Sequence, residues 1–372
     1  MVNIERACAF IDLQAVEHNF FAIKSLLPHN VKILCVVKAD AYGHGSSEIA
    51  RKLEELGADY LGVATTHEGI ELRNRGINLP ILVMSGILMN SEIKQVYESN
   101  LMPVVHDINT LIELKRESLH HNEPLKIHLK MDTGMGRLGF KYNELHFLIK
   151  QIKGDCKLEV EGFMSHFASS EKRDEYGFQQ ILEFKDSLNF LKESGVSPKI
   201  VHMSNSGAIV KYPEACFDMV RAGIALYGSY PSKEIADILQ LRTVMKFVTL
   251  IAFIKEYQQG SSLSYGRTFT TEKKTRIAYI PVGYADGYPR ALSNRGSVLI
   301  KDRRCSVVGR VCMDWMLVDI TDHENIDVGE EVILLGRGNN DTITADEIAE
   351  ITETIPYEIL CNISKRVPRV YV

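Results

Sequence analysis

Lys38 closes the apolar run VKILCVV (residues 31–37) and is followed by Ala39-Asp40-Ala41-Tyr42-Gly43-His44-Gly45. At the end of a buried strand an ammonium is partly desolvated, which lowers its pKa toward what an amine needs to attack a carbonyl. A lysine that merely snorkels at a rim is the plain alternative. Other reactive types recur at the ends of apolar runs. Lys130 ends KIHLK (126–130), with Arg137 in the loop behind it, and His166 follows LEVEGFM (158–164). Asn205 and Ser206 follow IVHM (200–203), and Arg221 with Gly223 stand at the end of MVRA (219–222). The segments NSGA and AGIALYG carry glycines that can shape backbone N–H groups around a phosphate, with Ser206, Gly223 and Ile224 well placed. Glycines that only end strands are the alternative for each segment alone. Two such segments together, with a lysine elsewhere on the same rim, point to a phosphorylated cofactor.

Other chemistry is argued against. Gly134-Met135-Gly136-Arg137-Leu138-Gly139 matches G-x-G-x-x-G and has Glu159 downstream, but it follows the fifth strand rather than opening a first βαβ unit, so a dinucleotide fold is rejected. The seven cysteines are scattered without a C-x-x-C pair and read as reduced thiols; no histidine pattern marks a metal site. The net charge of -5 and the absence of a basic stripe speak against nucleic acid. The longest apolar stretch, VMKFVTLIAFI from Val244, falls short of the roughly 18 residues a membrane span needs. The N-terminus MVNIERACAF has no leader-like apolar core, so a cytoplasmic location is expected.

The elements that must position these residues follow from patterning. Over the first 230 residues, eight short apolar runs (31–37, 60–64, 81–84, 102–105, 126–130, 158–164, 200–203 and 219–222) alternate with stretches of helical periodicity. Eight strands with crossovers predict an α/β fold, an N-terminal (β/α)8 TIM-like barrel, whose active site belongs at the C-terminal ends of its strands. Past residue 240 the texture becomes β-branched and aromatic with Gly, Asn and Asp turns, which predicts a mostly β C-terminal domain. The expected division is 1–240 and 241–372, uncertain over 228–242, with the first residues to about position 10 free to pack on the second domain.

VVKADAYGHG (36–45) resembles the cofactor-lysine motif of alanine racemases, enzymes that use pyridoxal 5'-phosphate (PLP). The likeness continues in order through LKMDTGMGRLG (129–139), MSHFASS (164–170), NSGA (205–208), VRAGIALYG (220–228), SYGRTF (264–269), VGYADGYPR (282–290), CMD (312–314) and YEILC (357–361). Asp40 stands where many relatives have Asn, and both fit the pattern.

The resemblance implies a homodimer in which each barrel mouth is completed by the partner's C-terminal domain. Lys38 would carry PLP, and Tyr42, Ser206, Gly223, Ile224 and Tyr357 would bind its phosphate. Arg221 would face the pyridine nitrogen with His202 behind it, and His166 would lie beside the ring. A guanidinium there disfavours a protonated ring, which limits transamination and suits racemisation of alanine. Removing a proton from one face of Cα and returning it to the other needs two bases, which by resemblance are Lys38 and the partner's Tyr265. Arg137 and the N–H of the partner's Met313 would take the substrate carboxylate, Lys130 could carry a carbamate beside Arg137, and Asp314, Tyr284 and Tyr357 would restrict the pocket mouth. The product would supply D-alanine for peptidoglycan.

Rival readings are a serine or broad-specificity racemase on the same scaffold, and a PLP decarboxylase, for which an acid rather than Arg221 is expected at the pyridine nitrogen. A non-enzymatic PLP carrier resembles the barrel half alone; residues 241–372, with Tyr265 and CMD, speak against it.

Overall fold

The computed structural model of the protein describes residues 6–153 and 157–372. The first strand, β1 (Ala7–Ile11), is followed by eight that build a parallel sheet: β2 (Lys32–Val36), β3 (Tyr60–Val63), β4 (Ile81–Val83), β5 (Met102–Val105), β6 (Leu125–Lys130), β7 (Leu158–Met164), β8 (Ile200–His202) and β9 (Met219–Ala222). Neighbours in sequence are neighbours in space from β2 to β8, and β9 returns to pair with β2. The seam between β8 and β9 closes through three bonds: Asp218 N–H to Val201 O (3.0 Å), Val201 N–H to the Asp218 carboxylate (2.8 Å) and Arg221 N–H to Ser204 O (2.9 Å). The result is the expected barrel. Its strands are mostly buried because helices cover the outer face while side chains fill the inside.

Local chemistry starts the helices where the patterning predicts them. Asp12 caps Leu13–Lys24 by accepting from Gln14 and Ala15 N–H, and Thr65 with Glu68 forms a capping box on Thr66–Asn74. Asp107, Asp174 and Asn205 cap later helices in the same way.

The chain then enters a ten-stranded, mainly antiparallel sheet. Its strand β10 (Met245–Leu250) pairs with β1, and β1 pairs in parallel with Arg369–Tyr371. The first strand of the chain thus lies in the second sheet, a pairing that no local pattern in ACAFI announces because its partners lie more than 200 residues away. One hydrophobic core runs from the barrel into this sheet, and a smaller cluster of Leu263, Ile277, Val308 and Leu317 sits under the strand that leads to Tyr265. Among the described residues six cysteines are free, and Cys156 lies outside them. No helix of the described residues is long and apolar enough to cross a membrane, and none of their His, Cys, Asp and Glu side chains cluster as metal ligands would.

A buried amide helps to hold the passage from barrel to sheet. Asn19, fully buried, donates to Leu226 O (3.1 Å) and Arg242 O (2.8 Å) and accepts from Arg242 N–H (2.7 Å). Replacing it by a leucine of similar volume strands the buried Leu226 carbonyl, worth about 1–3 kcal/mol, and removes two part-buried bonds to Arg242. Asn19→Leu is therefore expected to lower the unfolding free energy by about 3 kcal/mol in urea titration; an unchanged midpoint would show that this amide does not hold the junction.

Candidate active site

The barrel's C-terminal mouth holds a cavity of about 430 Å³, and Lys38, Tyr42, Lys130, Arg137, His166, Ser206, Arg221, Gly223 and Tyr357 all line it. These nine of the expected residues converge from the ends of five barrel strands and, for Tyr357, from the helix Pro356–Cys361 of the second domain. Among the described residues no carboxylate lines it. Four cationic side chains thus share a space roughly 8 Å across, where two unit charges repel by about 2 kcal/mol at an effective dielectric near 20.

That crowding shows in their proton affinities. Burial and then Arg137 push the Lys38 ammonium below its usual range, with Arg221 adding to the effect and Glu68 opposing it. Burial, Arg221 and Arg137 push Lys130 down to about 8. Burial and Arg137 push Arg221 down to about 9, which leaves it a cation at neutral pH. An anion entering the cavity relieves all of these at once.

Lys38 owes its position to an unusual turn. The four residues after it, Ala39 to Tyr42, adopt left-handed backbone angles with φ of 52°, 54°, 53° and 51°. At about 1–2 kcal/mol for each non-glycine residue, the turn stores roughly 4–8 kcal/mol. Its surroundings hold it. Glu68 accepts from Ala39 N–H (2.8 Å) as well as from Ala64 (2.6 Å) and Thr65 (3.2 Å), and Asp40 accepts from Ser46 N–H (2.8 Å). The buried His44 ring, through Nδ1–H, bonds Ala41 O and Tyr42 O, both at 2.9 Å. Arg369 donates to Gly43 O (3.0 Å), and a Cβ at Gly43 would lie 2.4 Å from Leu360 O. The C-terminal tail therefore clamps the turn that aims Lys38.

Opposite Lys38, the Ser206 hydroxyl accepts from Gly223 N–H (2.9 Å), and a Cβ on Gly223 would fall 3.2 Å from the Tyr42 hydroxyl. A side chain at Gly223 would press on that hydroxyl, which would have to give by a few tenths of an ångström. Tyr42 packs edge-on against Tyr357 (5.7 Å) and Tyr227 (4.9 Å), and Ile224 is fully buried beside it.

The loop bearing Arg137 hangs on Asp132, which accepts from Gly134 (3.2 Å) and Gly136 (2.8 Å) and pairs with Lys141 at 2.8 Å. Burial opposes ionisation of Asp132, but these bonds prevail and hold its carboxyl below the usual range. Gly134 and Gly139 take φ of +128° and +134°, and the next helical turn, Tyr142–Glu144, starts only after the glycines end, so they shape this loop rather than open a helix over a dinucleotide.

Arg221 is 3% exposed and its guanidinium meets only neutral acceptors: Ser165 O (2.8 Å), Met203 O (2.8 Å), His202 O (3.2 Å), His202 Nδ1 (3.0 Å) and His166 Nδ1 (3.0 Å). His202 lies fully buried behind it.

The remaining expected residues are elsewhere in the chain. Tyr265, Tyr284 and Met313 line a separate cavity of about 410 Å³ on the second domain, together with Arg290 and Arg310. Tyr265 is 71% exposed. It follows Ser264, whose φ of 61° and ψ of -178° belong to a region nearly confined to glycine, and the Ser264 hydroxyl donates to Arg310 O (2.7 Å). Asp314 pairs with Arg366 (2.8 Å) and Arg6 (3.7 Å). Within one chain the two groups of residues share no cavity among the described residues.

Over residues 11–231 the chain matches the family profile described as alanine racemase, N-terminal domain, and over 244–371 the corresponding C-terminal domain. The chain belongs to the alanine racemase family. The alanine racemase of Halothermothrix orenii is 43% identical over 364 residues, covering 98% of this chain and 96% of that protein. The solved alanine racemase of Clostridium difficile superposes with a TM-score of 0.93 at 40% identity, covering 100% of this chain and 97% of that one. That of Bacillus anthracis with bound L-Ala-P gives a TM-score of 0.93 at 36% identity, with 100% and 96% covered. In alanine racemase terms, Lys38, Arg137 and Arg221 lie in the N-terminal match, while Tyr265, Met313 and Tyr357 lie in the C-terminal one.

Sequence reading passed over Glu68, Asp132, Arg290, Arg310 and the left-handed turn. Asp132 was signalled by the Asp-x-Gly spacing typical of side-chain-to-backbone turns. The turn had no local signal, since Ala-Asp-Ala does not ask for positive φ.

Two buried histidines make the fold acid-sensitive. Burial pushes His44 down to about 4, and burial with Arg221 pushes His128 down to about 3. Both are neutral in the folded state while an unfolded histidine takes a proton near 6.5, so the unfolded state binds more protons as pH falls below 6.5. Their contribution to stability is thus flat above that value and falls by about 3 kcal/mol per histidine by pH 4. Urea titrations from pH 7 to 4 should show this fall, reduced in His44→Gln; equal slopes in the two proteins would rule His44 out.

Proposed function

We propose that this protein interconverts L- and D-alanine with PLP as its resident cofactor, in a homodimer whose partner subunits complete each other's sites, and that it works in the cytoplasm to supply D-alanine for peptidoglycan. The observation that carries the reading is the buried Arg221 guanidinium, held by neutral acceptors alone, in one cavity with Lys38.

The cavity fits the cofactor. Its excess of positive charge suits a phosphate ester and a carboxylate, the Gly223 cradle with Tyr42 and Ser206 suits the phosphate, and Lys38 offers an amine of weakened basicity. Ile224 and Tyr357 would complete that cradle. When bound, PLP supplies an electron sink for the pair left at Cα as its proton departs. Arg221, unable to accept a proton, keeps that sink moderate, which favours return of the proton to Cα. Lys38 would take or give the proton on one face, and the partner's Tyr265, exposed on a strained turn, on the other. His166 is kept neutral by burial and by Arg221, so it adds no charge beside the ring. Arg137 and the partner's Met313 N–H would hold the carboxylate, while Tyr284, Asp314 and Tyr357 narrow the mouth to a small side chain.

The decisive assay is α-proton exchange. Protein with PLP should racemise alanine and exchange its α-proton in D2O, and Lys38→Ala and Tyr265→Ala should each be inactive. Mixed and allowed to exchange subunits, the two dead variants should regain about a quarter of wild-type activity, because half the dimers are hybrid and each hybrid has one intact site. Failure of the wild type to exchange the proton sinks the function; failure of complementation alone sinks the shared site.

Lys130 is the proposed carrier of a carbamate. With its pKa near 8, a sizeable fraction is free amine at mildly alkaline pH. The amine lone pair bonds to the carbon of CO2, one C=O pair moves to oxygen, and nitrogen releases a proton to solvent; the new anion sits among Arg137, Arg221 and Lys38. Labelled bicarbonate at pH 8 should give a 13C carbamate signal that fades by pH 6 and is missing in Lys130→Ala. A signal that survives in Lys130→Ala would assign it elsewhere.

A further inference from the structure

Behind Arg221 runs a line of two imidazoles that ends in a buried N–H. Arg221 Nη1 lies 3.0 Å from His202 Nδ1, and His202 Nε2 lies 2.9 Å from His128 Nδ1. His202 and His128 are fully buried. Because a guanidinium only donates, the line has one possible polarity. His202 Nδ1 accepts, so its proton is on Nε2; that proton goes to His128 Nδ1, so the proton of His128 is on Nε2. There it meets no hydrogen-bond partner among the described residues.

An unpaired buried donor is destabilising, and native folds keep few of them. Here the fold goes further to keep the ring in place. β6 and β7 change register between Ile127 and His128, and the residue facing the ring is Gly162, where a Cβ would fall 2.1 Å from His128 Nδ1. Any larger residue there would displace the ring from His202. An apolar side chain here would remove that orphan donor but would leave the His202 Nε2–H without its acceptor, so what the ring contributes is the bond it accepts.

We propose that His128 is a positioning residue for Arg221, acting through His202 to fix the direction of every proton in the line and so the plane of the guanidinium at the cavity floor. The two imidazoles turn their lone pairs toward Arg221 and stabilise its charge without supplying a negative one. A carboxylate in their place would neutralise the guanidinium and weaken its effect on a bound ring; an apolar residue would remove one of the five acceptors that fix its plane. Burial and Arg221 keep both imidazoles uncharged, which preserves this polarity. The consequence for catalysis rests on the PLP racemase reading above, whereas the proton positions do not.

The test uses the holoenzyme labelled with 15N-histidine. In the wild type, His202 and His128 should each show a protonated Nε2 and a bare Nδ1, from pH 6 to pH 9. His128→Leu removes the acceptor for His202 and should let the His202 tautomer average, lower kcat about tenfold with KM little changed, and raise the pyruvate released per racemisation event. His128→Asn offers an acceptor near the Nδ1 position and should recover most of the loss. A protonated Nδ1 on wild-type His202 overturns the proposal even if His128→Leu fails to fold. So does a folded His128→Leu protein with unaltered His202 signals and an unaltered pyruvate ratio. Absence of racemisation in the wild type counts against the proposed function instead, and the nitrogen shifts still decide the relay.

Discussion

Four cations gathered at a barrel mouth without a carboxylate among the lining residues are the constraint on which much else depends. Lys38, Lys130, Arg137 and Arg221 each resist the others, and the fold must hold them there without neutralising them. It does so with neutral acceptors and with backbone. Arg221 is ringed by three carbonyls and two imidazole nitrogens, and the acids nearby are turned to structural work: Glu68 and Asp132 bind loop N–H groups. The stability given up in this arrangement is recovered only when an anionic ligand enters, so binding and electrostatic relief are one event.

The two residues proposed to move protons are both presented from backbone that ordinary residues avoid. Lys38 precedes four left-handed residues, and Tyr265 follows Ser264 in a glycine-like conformation. Strain of this kind persists only where the surroundings over-determine it. For Lys38 those surroundings include Glu68 from the barrel and Leu360 and Arg369 from the tail. Lys38 is therefore coupled to the second domain within its own chain.

Covalent continuity reinforces this. β1 opens the chain inside the second sheet, between β10 and Arg369–Tyr371, and Asn19 fastens the barrel's first helix to the backbone at Arg242. The barrel is thus gripped near its first and last residues by the domain that also carries Tyr265.

Periodicity and punctuation in the sequence determined the eight barrel strands, the placement of Lys38, His166, Ser206 and Arg221 at strand ends, and the change to β texture past residue 240. These are local properties: alternation, apolar runs and turn residues act over a few positions and survive in a linear reading. The motif likeness added roles for Tyr265 and Met313 that local physics alone would have assigned to an ordinary turn. Only the tertiary structure decided the rest. The left-handed turn after Lys38 is held by Glu68, Asp40 and His44 and is clamped from the far end of the chain by Leu360 and Arg369. The relay from Arg221 through His202 to His128 joins three strands that have no sequence relation. The absence of carboxylates from the mouth depends on where Glu68 and Asp132 aim their side chains. The clamp on the turn and the relay are set by contacts between distant segments, and no short window of sequence contains all of their partners.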